Sequence, residues 1–312
     1  MNEDVLGPGY TATVLPLGAD DEGEVVAVLV TRRAPRPTRR AVLYVHGFAD
    51  YFFQTHLADF YLTRGFDFYA LDLRKYGRAL RPYQTPNFVR SISEYFAELD
   101  AAIRIIRADH DVVLVNGHST GGLTAALWAD RVRGRGLVQG LFLNSPFFEL
   151  PGPDRVRGPA IAFSRVLSPR TALPARRAGR YVESLHRDFT GEWDFDLAWK
   201  PRQGFPIRAG WLGAVLRAHH RLHAGLEVGV PALVMASARS VRRGGDMLDG
   251  DAVLDVGHIV RWSARLGDQV TVVRVDGGLH DLVLSPAQVR TRVFAELAAW
   301  IDAVLAAERP PP

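Results

Sequence analysis

Ser119 stands in the pentapeptide Gly117-His118-Ser119-Thr120-Gly121, which fits the pattern G-x-S-x-G. A serine hydroxyl is a weak nucleophile near neutral pH, so it needs a base within hydrogen-bond reach. It also needs a turn sharp enough to present its Oγ, and Gly117 and Gly121 allow one. The apolar run Val112–Val115 before it reads as a buried strand, and the pattern Leu123–Arg131 after it as a helix. Ser119 is therefore expected at a strand-to-helix corner, poised for acyl transfer. Attack on a carbonyl creates an oxyanion, which two preset backbone N–H groups must meet. One is expected from Thr120. The other is expected from Phe48, in the stretch His46-Gly47-Phe48 that follows the apolar run Ala41–Val45. His46 reads as a residue that shapes this loop, not as the base.

The base should come late in the chain, after an acid. Six histidines follow Ser119: His186, His219, His220, His223, His258 and His280. His280 lies just past the expected strand Val270–Val275, in Asp276-Gly277-Gly278-Leu279-His280-Asp281, where the glycines permit a tight turn over a sheet edge. The orienting acid should lie after the strand Ala232–Ala236, among Asp246, Asp249, Asp251 and Asp255. Asp255 precedes an amphipathic pattern (Val256, Ile259, Val260, Leu266) and has a helix-capping explanation. Asp251 has no such structural duty and is favoured. His219 and His223 are four apart, a spacing that can hold a metal, but no H-E-x-x-H pattern accompanies them. A polar helix face is the expected reading, with no metal or cofactor. Asp50-Tyr51-Phe52-Phe53 could wall an acyl pocket or simply fill the core.

The elements that must position these residues alternate along the chain. Apolar runs at Ala41–Val45, in the core of Phe66–Leu71, at Val112–Val115, Leu141–Leu143, Ala232–Ala236 and Val272–Val273, the last flanked by Val270 and Val275, suit strands buried on both faces of a mostly parallel sheet. Helical patterns separate them. Ser91 and Glu94 have capping-box spacing ahead of Tyr95, Phe96, Leu99, Ile103 and Ile106. A last helix follows Pro286. Thr11–Leu15 and Glu24–Thr31 have no helix between them and should pair antiparallel at an edge. The alternation breaks over 147–228, which contains Pro151-Gly152-Pro153 and the tryptophans Trp193, Trp199 and Trp211. This stretch reads as a helical cap inserted into a core formed by 1–146 and 229–312. The end, Arg309-Pro310-Pro311-Pro312, reads as a frayed tail.

The 312 residues are 47% hydrophobic, enough for a sizeable core. There is no cysteine, which excludes a cysteine nucleophile, a disulfide framework and a thiolate metal site. No run of 18 apolar residues occurs, and the acidic start Met1-Asn2-Glu3-Asp4 is unlike a signal peptide, so a cytoplasmic protein is expected. The formal net charge is +4, and Lys75 and Lys200 are the only lysines. The densest basic run (Arg32, Arg33, Arg36, Arg39, Arg40) reads as a solvated loop, with weak contact to an anionic membrane as its second reading. No nucleic-acid partner is expected.

These motifs resemble the branch of the α/β-hydrolases that contains monoacylglycerol lipases, lysophospholipases and serine-aminopeptidase-like enzymes. The matching pieces are Val45-His46-Gly47-Phe48, Leu71-Asp72-Leu73-Arg74-Lys75-Tyr76-Gly77-Arg78, Gly117-His118-Ser119-Thr120-Gly121-Gly122, Asp251-Ala252-Val253-Leu254-Asp255 and Gly277-Gly278-Leu279-His280-Asp281. They span most of the chain outside 147–228. The resemblance implies an α/β-hydrolase fold, Asp251 as the acid, and hydrolysis of a small acyl ester such as a monoacylglycerol, a lysophospholipid or a small lipophilic ester. It departs from the family pattern in the long stretch Ser237–Gly250. Amide or peptide cleavage by the same triad is the alternative, with Glu183, Glu192, Asp194 or Asp196 as partner for a substrate ammonium. A non-catalytic binding protein on the same scaffold is the lesser one. Haloalkane dehalogenase or epoxide hydrolase chemistry would require an aspartate in place of Ser119.

Overall fold

This computed structural model describes residues 2–151, 167–173, 179–241 and 245–307. Among these residues nine strands form one sheet: β1 Asn2–Glu3, β2 Tyr10–Asp20, β3 Gly23–Arg32, β4 Arg40–Val45, β5 Asp67–Asp72, β6 Val112–His118, β7 Gly140–Asn144, β8 Ala232–Ser237 and β9 Val270–Val275. Their order is β1-β2-β3-β5-β4-β6-β7-β8-β9. The two long strands at the amino end pair antiparallel, Tyr10 opposite Arg32, and β3 joins β5 antiparallel. From β5 to β9 every pairing is parallel. The helices are α1 Thr55–Thr63, α2 Phe96–Asp109, α3 Thr120–Val132, α4 Gly179–Leu185, α5 Ala209–Ala224, α6 Val256–Ser263 and α7 Ala287–Ala307. This mostly parallel sheet with helices on both faces is the α/β-hydrolase fold.

Side-chain alternation explains why the central strands are apolar throughout. Ala41, Leu43 and Val45 of β4 face one core layer, while Val42 and Tyr44 face the other. The same division separates Val113 and Val115 from Leu114 in β6, and Val234 and Ala236 from Met235 in β8. Both faces are covered, so neither can be polar. β9 departs from the expectation of two buried faces. It is the last strand of the sheet, and Val272 is 38% exposed. A strand paired on one side is covered less, and its valines report strand propensity as much as burial.

The expected capping box forms. Ser91 accepts from the Ser93 N–H, and the Glu94 carboxylate accepts from the Ser91 N–H, opening a 3-10 turn at Ile92–Tyr95 that runs into α2. Between β7 and β8 the described residues add α4 and α5 and no strand to the sheet. Pro153, like the rest of 152–166 and 174–178, lies outside the described residues, as do 242–244 and the tail at 308–312. Val182, Leu185 and Phe195 pack with Leu57 and Tyr61 of α1 and Leu297 of α7. Trp211, Val215 and Leu222 of α5 pack in the opposite layer with α2 and α3. The segment between β7 and β8 thus reaches both faces of the sheet, and Tyr181 meets the loop that holds His280.

Both lysines are buried. Lys75 Nζ lies 2.5 Å from Asp20 and 2.6 Å from Glu22, with its side chain 1% exposed. These bonds fasten the β2–β3 turn to the chain after β5. Burial alone would raise the Glu22 carboxyl, but hydrogen bonds from Lys75 and Thr85 outweigh it and hold it at about 2. A carboxyl lowered on folding adds stability above its unfolded value near 4.5. That stability is lost as pH falls toward 2. Wild type should therefore lose melting temperature between pH 5 and pH 2 more steeply than Glu22→Gln. Parallel slopes in thermal melts would refute this.

Candidate active site

β6 ends at His118, and α3 begins at Thr120, so the whole reversal falls on Ser119. Its backbone is at φ 53°, ψ −117°, in the left-handed region that L-residues rarely adopt. Such strain persists only where neighbours enforce it. The Ser119 N–H donates to the Asn144 carbonyl at 3.0 Å, and the Ser119 carbonyl accepts from the Phe147 N–H at 2.9 Å. Both glycines of the motif are needed for close approach. A Cβ at Gly121 would lie 2.3 Å from the Val45 carbonyl oxygen, and one at Gly117 would lie 2.7 Å from Gly122 Cα.

Three of the residues singled out in the sequence come together at this corner. Ser119 Oγ is 3.1 Å from His280 Nε2, and His280 Nδ1 is 2.9 Å from Asp251 Oδ2. With Nδ1–H donated to the carboxylate, Nε2 offers its lone pair to the serine hydroxyl. Asp251 is fully buried. Its second oxygen accepts from the Val253 and Leu254 N–H groups, at 2.8 and 2.7 Å, which fixes the carboxylate. Asp255 does something else: it caps α6, accepting from the Gly257 N–H at 2.8 Å. Asp249 and Asp246 stand earlier in the same loop, and the Asp246 side chain caps a local turn through the Leu248 N–H.

The loop after β4 borders the nucleophile. A Cβ at Gly47 would lie 3.1 Å from Ser119 Cβ. Among the described residues the N–H groups of Phe48 and Thr120 have no acceptor, so both are free to serve a ligand. The Phe48 ring packs on Trp211 of α5 at 4.2 Å. His46 is buried and neutral in role. It donates from Nδ1 to the Gly47 carbonyl at 2.8 Å and accepts at Nε2 from the Leu73 N–H at 3.0 Å. Burial lowers its affinity for a proton. Tyr51, Phe52 and Phe53 are buried in the core layer of α1 and α7. The His219 and His223 rings stack on one face of α5, and their Nε2 atoms meet the Phe147 and Phe148 carbonyls at 2.8 Å each.

Sequence reasoning missed a buried polar cluster beside the site. Asp281, next to His280, accepts from Asn144 Nδ2 at 2.7 Å and from Gln54 Nε2 at 3.1 Å. Its N–H donates to the Tyr181 hydroxyl. Asp50, two residues beyond Phe48, accepts from Lys200 Nζ at 2.6 Å. Asp50, His118 and Asp281 bring one ligand atom each within 4.8 Å of one another, and the Lys200 ammonium sits at this cluster. His118 anchors to the Asn144 carbonyl at 3.2 Å with its ring 5.0 Å from that of His280. The one sequence signal was Lys200 itself, a lone lysine in an arginine-rich segment.

The Asp50–Lys200 pair, with Tyr51 accepting from the Asp196 N–H at 2.6 Å, clasps residues 195–200 to the loop after β4. Removing one partner of a buried pair strands the other charge. Lys200→Met should therefore cost about 3–5 kcal/mol in urea unfolding. Asp50→Asn/Lys200→Met together should recover most of that loss. An additive double variant would show that the pair is not coupled.

A serine, a histidine and a carboxylate in hydrogen-bonded series, on a strand-to-helix corner of a mostly parallel sheet, mark a hydrolase of the α/β-hydrolase fold. The family model of the serine aminopeptidases, S33, matches residues 36–284, and the chain belongs to that family. No curated protein matches the chain in sequence. In structure it is similar to a soluble variant of monoglyceride lipase from Saccharomyces cerevisiae in complex with a substrate analog, with TM-score 0.68 and 16% identity over 94% of this chain and 97% of that one. It is also similar to the monoacylglycerol lipase of Paleococcus ferrophilus, with TM-score 0.63 and 17% identity over 95% and 99%. A third similar structure is a thermostable carboxyl esterase from Bacillus coagulans in complex with glycerol, with TM-score 0.63 and 15% identity over 94% and 99%. No helix among the described residues is long and apolar enough to cross a membrane.

Proposed function

We propose that the chain is a serine hydrolase of carboxylic esters that works through an acyl-enzyme. The observation that carries this reading is the continuous series from Ser119 Oγ to His280 to Asp251, at 3.1 and 2.9 Å. Ser119 attacks the ester carbonyl while His280 Nε2 takes its proton. The Phe48 and Thr120 N–H groups receive the oxyanion of the tetrahedral intermediate. His280 passes the proton to the leaving alcohol, whose C–O bond breaks. Water then attacks the acyl-enzyme by the same route, releasing the acid and restoring Ser119. Asp251 holds the imidazole in its working tautomer and stabilises the imidazolium.

The rings of Phe48 and Trp211, packed at 4.2 Å beside the loop that borders Ser119, supply apolar walls near the site. They suit a monoacylglycerol, a lysophospholipid or a small lipophilic ester. We read residues 147–228 as the cap that contributes Trp211 to these walls.

Peptide cleavage from an amino terminus is less well supported. Such a substrate needs a carboxylate for its ammonium, and the four candidates are engaged. Glu183 pairs with Arg202, Glu192 with Arg290, Asp194 with Arg187, and Asp196 caps the Ala198 N–H. A panel of p-nitrophenyl esters, monoacylglycerols, lysophospholipids and aminoacyl arylamides tests the assignment. Ester turnover should exceed arylamide turnover. Hydrolysis confined to aminoacyl arylamides would overturn the ester reading, and failure of a fluorophosphonate to label the protein would overturn the hydrolase mechanism.

A further inference from the structure

A cleft of about 700 Å³ lies between the 3-10 turn at Ile92–Tyr95, the end of α3 and the middle of α5. None of the residues assigned above to the reaction lines it. Its floor is apolar and comes from three elements: Ile92, Leu127 and Ala214 are buried in the core layer, and Phe96 packs against them.

Its rim carries five arginines: Arg131, Arg133, Arg135, Arg217 and Arg221. Two carboxylates stand against them. Arg133 and Arg221 share Asp130, and Arg131 pairs with Asp100. Arg217 donates to the Arg90 carbonyl, and Arg135 has no carboxylate partner among the described residues. Asp130 is already spent on both of its guanidiniums and on the Glu227 N–H. The rim therefore keeps an excess of positive charge over an apolar floor. The Arg131 guanidinium lies 5.2 Å over the Phe96 ring, which orients it before any ligand arrives.

We propose that this cleft is a binding site for a single-chain amphiphilic anion, its carboxylate or phosphate head on Arg135 and Arg217 and its chain on the Ile92–Leu127–Ala214 floor. A guanidinium can donate two parallel N–H bonds to a pair of oxygens on either head. A plain anion would leave the floor unused. A flat membrane surface would not enter a concave cleft between helices. The site is independent of the ester reading and stands whatever Ser119 does.

The test is calorimetric titration of the full chain with dodecyl phosphate, dodecanoate, inorganic phosphate and dodecanol, the amphiphiles kept below micelle formation. Anionic phospholipid vesicles form a further arm. Arg135→Ala/Arg217→Ala should weaken dodecyl phosphate and dodecanoate at least tenfold, with the melting temperature kept. The control Arg36→Ala, at an exposed arginine far along the chain, should change either by less than twofold. Rising salt should weaken both amphiphiles, since the head contacts are solvent-exposed. Unchanged affinity in the double variant would overturn the site. Inorganic phosphate binding as tightly as dodecyl phosphate would overturn the role of the floor. Binding to vesicles alone would replace a ligand site by a membrane contact.

Discussion

Ser119→Ala should abolish turnover and fluorophosphonate labelling together, leaving a folded protein with an unchanged melting temperature. The loss is expected at a factor of about 10⁴ or more, because only the oxyanion donors and substrate binding remain. Alanine has the bulk to fill the space of the serine Cβ and keeps the strained φ of 53°. The constraint comes from the backbone bonds to Asn144 and Phe147, which the substitution leaves in place. Mass spectrometry of the labelled protein decides the matter. A label found on another serine in this variant would move the nucleophile elsewhere.

Asp251→Asn should lower turnover by about a thousandfold or more, and Asp255→Asn should not. The two aspartates stand four apart in sequence, and their surroundings differ. Asp251 is buried, bonded to His280 Nδ1 and fixed by two backbone N–H groups. An amide there can turn its NH₂ toward His280, which drives the imidazole into the wrong tautomer. Asp255 meets only the first N–H groups of α6, and asparagine caps a helix nearly as well. Its variant should lose at most about 1 kcal/mol of stability. Steady-state kinetics on both variants with one ester substrate checks the ranking. The reverse order would place the acid one helical turn later.

How much of this was legible follows from what each residue must do alone. The strands β4 to β8 showed themselves because two covered faces force an unbroken apolar run. The corner at Ser119 showed itself because close backbone approach admits only glycine at 117 and 121. Asp255 could be set aside because a cap has a local signature that runs forward into its own helix. The short strand β1 carried no signal: two residues, Asn2 and Glu3, both exposed, pair with β2 by backbone alone. The exposure of β9 was equally hidden, since valine serves an edge strand as well as a buried one. The Asp50–Lys200 and Asn144–Asp281–Gln54 contacts join residues 137 to 227 positions apart, with no spacing rule to connect them. Buried polar pairs of that kind satisfy a three-dimensional need, and single residues give no hint of it.

The burial of both lysines turns them into reporters. Lys75 holds the β2–β3 turn and Lys200 holds the loop beside Phe48, and their side chains are only 1% and 9% exposed in the folded chain. An amine-reactive reagent such as an N-hydroxysuccinimide ester can acylate them only when the local structure opens. The rate of modification at each lysine, followed by peptide mass, then measures two separate opening equilibria in one sample. Lys200 reads the loosening of the clasp between residues 195–200 and the loop after β4, and Lys75 reads the fraying of the antiparallel edge. A ligand that settles in the site should slow the first and leave the second as it was.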